Sequence, residues 1–401
     1  MRSIPALLLS AFLTQPIAQA QGYLVAPFSN RSRDATLDWI GESVAETLRQ
    51  ALQAYDVNVI RREDRQEAAR KLGLLPSAQF AVGSMVKIAE LLQAEKIIYG
   101  HFEVEAHPAP RLEDGDAITV RTLHLTGRIL DHRRGMKMAE FSESGDFDDL
   151  ANVQTRIAWQ ALGLLHPDFA VTLEEFLEKH PPVRVNALEN YIRGLLATTP
   201  EHRHRYFTQA ARLDENFPQP NFYLGRLQWQ RENYEAAEGW LEKVPPGEEH
   251  YLEARFLLGL TRFERGNYEG ARDVFEALLD SLNTAEIYNN LGAAQHRLNL
   301  PDALENFRKA IATDPAEPTY RFNLAYALWK LGRYEEAADG FRAVLDRIPG
   351  DQDSLFLLGR CLKQSGPRLG EWRTENRERL RHTYDESAYR QYKVGRRLAI
   401  K

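Results

Sequence analysis

The residues of this sequence best suited to chemistry are amides, cations and aromatics that return with a fixed period in its second half. Asn289, Asn290 and Asn323 carry primary amides, which can pair with both the N–H and the C=O of a peptide chain. Arg226, Arg297, Lys330 and Arg360 carry cations that can meet carboxylates. Trp229, Phe322 and Tyr326 stand among them, with Phe222, Phe256, Phe263, His296, Trp329 and Phe356 at equivalent places. This set suits the holding of an extended polypeptide rather than the making or breaking of a bond.

Bond-making arrangements are missing from the sequence. No His pair sits four apart around a Glu, so the zincin pattern is not met. His202 and His204 are two apart and would point to different sides of a helix. No phosphate-cradling glycine loop and no Gly-x-Ser-x-Gly elbow occurs. Asp114-Gly-Asp116 lacks the further spaced oxygens of a calcium loop. The sole cysteine, Cys361, reads as a small buried apolar residue. We expect no catalytic residue, metal or cofactor.

One other place invites a ligand. "GYLVAPFSNRSRD", residues 22–34, runs from an apolar strand through a polar loop into a helix start, where N–H groups and the helix dipole favour anions. Ser29, Asn30 and Ser32 are the candidate donors of an anion loop. Asp34 competes for the same groups as an N-cap, and no glycine lets a phosphate approach the backbone.

The elements that must position these residues fall into two halves. Residues 22–166 mix strand and helix patterns: a buried run "YLVAPF", a helical stripe through Leu37, Ile40, Val44, Leu48 and Leu52, and a second strand "VNVI". Two helices follow, with Gly73 a stop for the first; then comes the strand "KIIYGHFEVE". The turn "RLEDGD" leads into a long alternating strand "AITVRTLHLTGRILD", kinked near Gly127. After "MKMAEFSES" a helix capped by Asp146 or Asp148 closes the half. The order βαβααβββα predicts a small α/β domain with a mixed sheet. Pro181-Pro182 marks a boundary.

Beyond it the chain repeats. Leu224, Leu258, Leu291, Leu324 and Leu358 are landmarks spaced 34, 33, 33 and 34 apart, each followed by Gly or Ala. Tyr234, Tyr268 and Tyr334 lie ten after the leucine, Ala237, Ala271 and Ala337 three later with Ala303 one place early, and Phe275, Phe307 and Phe341 four after their alanines. Pro301 stands where one tyrosine belongs and predicts a tightened turn, not an end to the array. Residues 187–214 read as a degenerate first repeat. Counting each landmark leucine as position seven, positions five, six, nine, twelve and thirteen face the groove; these are the amides, cations and aromatics named above.

Bulk numbers fit this division. The 401 residues carry 43% hydrophobic and 27% charged side chains and a net charge of −6, ordinary globular material with no general drive towards nucleic acid. The first twenty residues read as a secretory signal with a cleavage site after Ala20, which predicts a periplasmic or secreted protein. No later run is apolar enough for a membrane span. The last 34 residues, from Arg368, hold ten Lys/Arg against five Asp/Glu and read as a solvated capping helix.

Residues 187–367 resemble tetratricopeptide proteins, whose period and signature they carry. The resemblance implies an α-solenoid with a concave face that binds a peptide or partner protein. Residues 22–165 resemble the TolB-type amino-terminal domain on "APFSNRSRD", "GESVAETLRQAL", "KIAELLQAEKIIYGHFE" and "DLANVQTRIAWQAL"; such domains are associated with envelope complexes. The division expected is a signal at 1–20, an α/β domain at 21–170, a linker at 171–185, repeats at 186–366 and a capping helix at 367–401. The function expected is a non-enzymatic exported adaptor that binds a protein or peptide, with an envelope assembly as its setting. The alternative is an anion- or small-ligand-binding α/β domain with the repeats as spacer.

Overall fold

A computed structural model describes residues 22–55, 57–74, 80–108, 119–166, 168–368 and 370–384, without the side chains of residues 108 and 119. The export signal at 1–20, the turn at Arg111–Asp116 and the tail beyond residue 384 lie outside the described residues. The chain divides into two compact units, Met1–Pro182 and Val183–Lys401.

The first unit is a mixed sheet with helices. Its elements are β1 (Leu24–Val25), β2 (Ser29–Asn30), α1 (Trp39–Ala54), α2 (Arg62–Lys71), α3 (Val82–Leu91), β3 (Ile97–Pro108), β4 (Thr119–Asp131), β5 (Met136–Asp146), α4 (Leu150–Leu165) and α5 (Leu173–Lys179). β1 and β2 both lie parallel to β3, while β3, β4 and β5 form an antiparallel meander. The strand expected over "YLVAPF" keeps only β1, and pairing with β3 resumes at Ser29–Asn30, past Pro27, which has no N–H to give to the ladder. The strand expected at "VNVI" is reduced to one bridge, Tyr23 to Val59, before the chain turns into α2.

Alternation along the sheet places two cores. Leu123, Leu125 and Ile129 of β4 are buried while Val120 is exposed, as period two requires. Leu24, Ala26 and Ile97 cluster with Ala68 and Ala69 of α2 and with Met85, Ile88 and Ala89 of α3. Gly127 lies opposite Phe141 in the ladder, and a Cβ there would meet the Phe141 ring at 2.3 Å. The register irregularity between β4 and β5 falls just beyond, at Ile129/Leu130.

Gly41, in the first turn of α1, lies directly against the Phe28 backbone. A Cβ at this position would lie 2.0 Å from the Phe28 carbonyl oxygen, and the Gly41 carbonyl accepts the Phe28 N–H at 3.0 Å. One residue on, the buried Glu42 pairs with the buried Arg65 of α2, each side chain 6% exposed. Arg65 also donates to the Val25 carbonyl at 2.8 Å. Glu42→Ala would leave the Arg65 guanidinium buried without its counter-charge. We expect a loss of about 3 kcal/mol in urea unfolding of this unit; a loss below about 1 kcal/mol would show that water reaches Arg65.

The second unit is a solenoid of helix pairs: α6 (Val185–Leu196) with α7 (Pro200–Leu213), α8 (Gln219–Gln230) with α9 (Tyr234–Leu241), α10 (Tyr251–Glu264) with α11 (Tyr268–Leu279), α12 (Ala285–Arg297) with α13 (Ala303–Thr313), and α14 (Pro318–Lys330) with α15 (Tyr334–Leu345), followed by α16 (Gln352–Leu362). The repeat's small residues are the points of helix crossing. At Gly259 a Cβ would meet the Phe275 ring at 2.6 Å. Glu232, Gly266, Asn299 and Gly332, each eight after its landmark leucine, all have positive φ, so one left-handed turn is reused in the four pairs from α8–α9 to α14–α15. Pro301 sits in such a turn and α13 opens two residues later at Ala303. Cys361 is buried at 3% exposure, and burial pushes its thiol up to about 11.

The described tail departs from the expected capping helix. After a short 3-10 turn at Trp372–Thr374, residues 375–384 form neither helix nor strand. Gly366-Pro367 and Gly370, with φ +75°, turn the chain back, and its polar sequence then has partners better than its own backbone, described next.

Candidate functional site: the solenoid groove

The first helices of two successive pairs, α12 and α14, contribute mid-helix amides to one line. Asn323 of α14 donates to the Arg379 carbonyl at 2.8 Å and accepts the Arg379 N–H at 2.8 Å. Asn290 of α12 does the same for Arg381, both at 2.9 Å. Asn289 donates to the Arg379 carbonyl at 2.9 Å and accepts from Asn323 at 2.8 Å. All three are fully buried, and the network fixes which way each amide points. The groove is thus occupied by the chain's own tail, held by its backbone at every second residue. A side-chain amide offering one donor and one acceptor to the same residue copies the pairing of a neighbouring β-strand.

Helix ends supply the charges. α12 ends in His296 and Arg297, and between them sits Glu378 of the tail, its side chain 1% exposed. His296 Nδ1 lies 2.6 Å from one carboxylate oxygen. Arg297 Nε lies 2.7 Å from the other, in charge contact without an aligned hydrogen bond. Arg297 also packs over the Phe263 and Tyr268 rings. At the opposite, N-terminal ends of the helices, Asp351 and Glu317 do two tasks each. Asp351 caps α16 through Ser354 N–H and takes the Arg379 guanidinium in a two-pronged contact at 2.8 and 3.0 Å. Glu317 caps α14 through Thr319 N–H and takes Arg381 at 2.6 Å. The Arg379 guanidinium also lies 3.5 Å over the Phe322 ring.

The remaining groove positions frame the ends of the tail. Tyr326 donates to the Thr374 carbonyl at 2.7 Å; burial pushes its phenol above the usual range, with the Glu378 charge adding to that, so it stays a donor. Lys330 lies over the Tyr326 ring. Arg360 holds the turn through Ser365, Gly366 and Glu371. At the other end Trp229 meets His382 edge-on at 5.9 Å, and Phe256 meets Tyr384 at 5.5 Å. Arg226 lies over Phe222 and Tyr223. A cleft of about 310 Å³ remains between this end of the tail and Phe222, Arg226 and Trp229.

Of the ten groove residues named from the sequence, Trp229, Asn289, Asn290, Arg297, Phe322, Asn323 and Tyr326 touch tail residues between Thr374 and His382, and Arg226, Lys330 and Arg360 flank them. Sequence reasoning missed Glu317, Asp351 and the tail itself. The acids were hidden because an acid before a helix already has a reading as an N-cap.

The loop at residues 29–34 is arranged differently. Asn30 donates to the Asp34 carbonyl and to the Asp38 carboxylate, and accepts from Ser32 N–H. Ser32 Oγ accepts from Val104 N–H at 2.8 Å, and Asp34 caps through Thr36. Ser29 pairs in the ladder opposite His101. The Asn30 amide is thus spent within the unit beside two carboxylates, and Ser32 Oγ serves as an acceptor.

The charges in the groove predict a pH response. Burial raises the Glu378 carboxyl, yet the His296 hydrogen bond and the Arg297 and His296 charges outweigh it and hold it below its ordinary range. Asp351 is likewise raised by burial and brought net downward by Arg379 and Ser354. A depressed carboxyl stabilises docking above its free pKa of about 4, and that stabilisation is lost as pH falls through the lowered value. Amide-exchange protection at Arg379 and Arg381 should hold from neutral pH to about pH 5 and fall below about pH 4. Protection that persists unchanged at pH 2.5–3 would show that these carboxylates do not carry docking.

Comparison with known proteins agrees with the repeat. The tetratricopeptide repeat family model matches residues 247–286 and 293–352. Among solved structures, MamA residues 41–end from Desulfovibrio magneticus RS-1 is 24% identical, covering 42% of this chain and 98% of its own, with a TM-score of 0.38. YrrB, described as a TPR protein with an unusual peptide-binding site, is 23% identical over 39% of this chain and 82% of its own, with a TM-score of 0.34. No curated protein matches. The matched part of the solenoid, residues 247–286 and 293–352, is tetratricopeptide repeat, and among the described residues no helix is long and apolar enough to cross a membrane.

Proposed function

We propose that this chain is a non-enzymatic adaptor whose groove takes an extended segment of a partner protein. Tetratricopeptide solenoids are protein-binding scaffolds, and one observation carries the reading to this groove. Asn290 and Asn323 each engage the N–H and C=O of a single tail residue, a geometry that reads backbone and so admits a chain from elsewhere. The test uses the full chain with its tail disarmed by E378A/R379A/R381A. A labelled synthetic peptide copying residues 373–386 should bind it one to one. Adding N290A/N323A should weaken that binding by at least about a hundredfold, as loss of several buried hydrogen bonds implies. Equal binding with and without the asparagines would remove the groove from the account.

The setting rests on residues 1–20, whose charged start, apolar run and Ala18-Gln19-Ala20 end support export. In that setting the TolB-type resemblance of the first unit supports an envelope assembly. Sequencing the protein's amino terminus from cells should give Gln21 first; a chain that keeps its leader would withdraw the exported reading.

A further inference from the structure

Backbone pairing alone would make the groove indifferent to sequence; its charged groups are what can select. Glu378 fills a site closed from water, between His296 and Arg297, whose side chains are each 12% exposed. A neutral side chain there would strand a cation with little access to solvent. One residue on, Arg379 meets Asp351 with two nitrogens and stacks on Phe322, a combination that a planar guanidinium satisfies and an ammonium does not. Two further on, Arg381 meets Glu317. Both acids are fixed in place by the helix starts they cap. The acids lie at the N-terminal ends of the repeat helices and the cations at a C-terminal end, so the groove presents opposite charge on its two sides.

Resting on the groove reading above, we propose that the partner segment is recognised by a glutamate followed by arginines one and three residues later, on an extended stretch of another protein. The tail carries this pattern in Glu378, Arg379 and Arg381 and is the groove's built-in ligand. A partner enters by displacing it. Being tethered, the tail competes at an effective concentration in the millimolar range, so only a segment that fits the same charged sites gains entry.

The experiment titrates the full chain, wild type and E378A/R379A/R381A, with labelled peptides copying residues 373–386. Tryptic cleavage after Arg377 confirms in parallel that the variant's tail is free. On the disarmed chain the native peptide should bind, while peptides with Glu378→Gln or with Arg379→Lys and Arg381→Lys bind about tenfold weaker or worse. A scrambled peptide of the same composition should not bind. The wild-type chain should take up the native peptide about a hundredfold more weakly, because its own tail competes. Gln and Lys peptides that bind within about twofold of the native one would overturn the proposed pattern while leaving the groove reading intact. If no peptide binds the disarmed chain, the groove reading itself falls. Equal uptake by wild type and variant would overturn displacement. A wild-type dimer in light scattering that the tail substitutions dissolve would assign the ligand to a second copy and overturn the foreign partner.

Discussion

Glu378→Ala should free the tail from the groove. The native carboxylate is 1% exposed and faces His296 at 2.6 Å and Arg297 at 2.7 Å. With alanine in its place, a docked tail would cover Arg297 without a counter-charge. Breaking a buried pair by removing one partner costs about 3–5 kcal/mol, which is about a hundredfold or more in the docked fraction. An undocked tail escapes that cost, since Arg297 and His296 regain water. The helices should therefore stay folded while the tail leaves. Limited trypsin digestion reads this directly, because Arg377, Arg379 and Arg381 all lie in the segment. Wild type should resist cleavage there and the variant should be cut rapidly, with far-UV circular dichroism unchanged. Wild-type resistance in the variant would show that Glu378 is not the anchor.

Asn323→Ala should have the next largest effect, by a different route. Asn323 is fully buried and makes three contacts at 2.8 Å: to the N–H and C=O of Arg379 and to the amide oxygen of Asn289. Alanine leaves the Arg379 N–H and Asn289 Oδ1 short of a partner at about 1–3 kcal/mol each, so about 3 kcal/mol in docking is expected. The Arg379 carbonyl keeps Asn289, which limits the loss. Asn290→Ala removes the corresponding pair at Arg381. Because the amides form one network, the double variant should fall short of the sum of the singles. The same digestion checks it: exposure of Arg377 and Arg379 without change in the helical spectrum supports the account, whereas loss of the spectrum would make Asn323 a residue of the fold instead.

Much of the solenoid was legible because its constraint is periodic. A leucine-glycine landmark every 33 or 34 residues fixes helix pairs, and helix geometry then puts positions five, six, nine, twelve and thirteen on one face. The asparagines could be placed from that arithmetic alone. The tail could not. Arg377, Arg379 and Arg381 alternate with Glu378, Leu380 and His382, a period of two, but neither side is apolar. Strand periodicity is a signal of burial against apolar surface, and this segment buries charge against charge. Its excess of arginine then suggested solvent. In the first unit the errors were local: Pro27 interrupts the strand expected over residues 23–28, and the run at 57–60 keeps only the bridge to Tyr23. The meander was clearer, because Leu123, Leu125 and Ile129 alternate with polar residues. The loop at 29–34 could be found by type, yet its internal bonding depended on Asp38 and Val104, which lie well away in sequence.

The groove holds the tail by the backbone of alternate residues, and hydrogen exchange of individual amides in the wild-type chain reads that pairing residue by residue. Arg379 and Arg381 donate to buried asparagine oxygens at 2.8 and 2.9 Å, so their amides should exchange at least about a hundredfold more slowly than in a free peptide, as a docked equilibrium of about 3 kcal/mol requires. Leu380, between them, should exchange faster than either. Exchange of Arg379 and Arg381 at the free-peptide rate, with the helices of the solenoid still protected, would contradict the account.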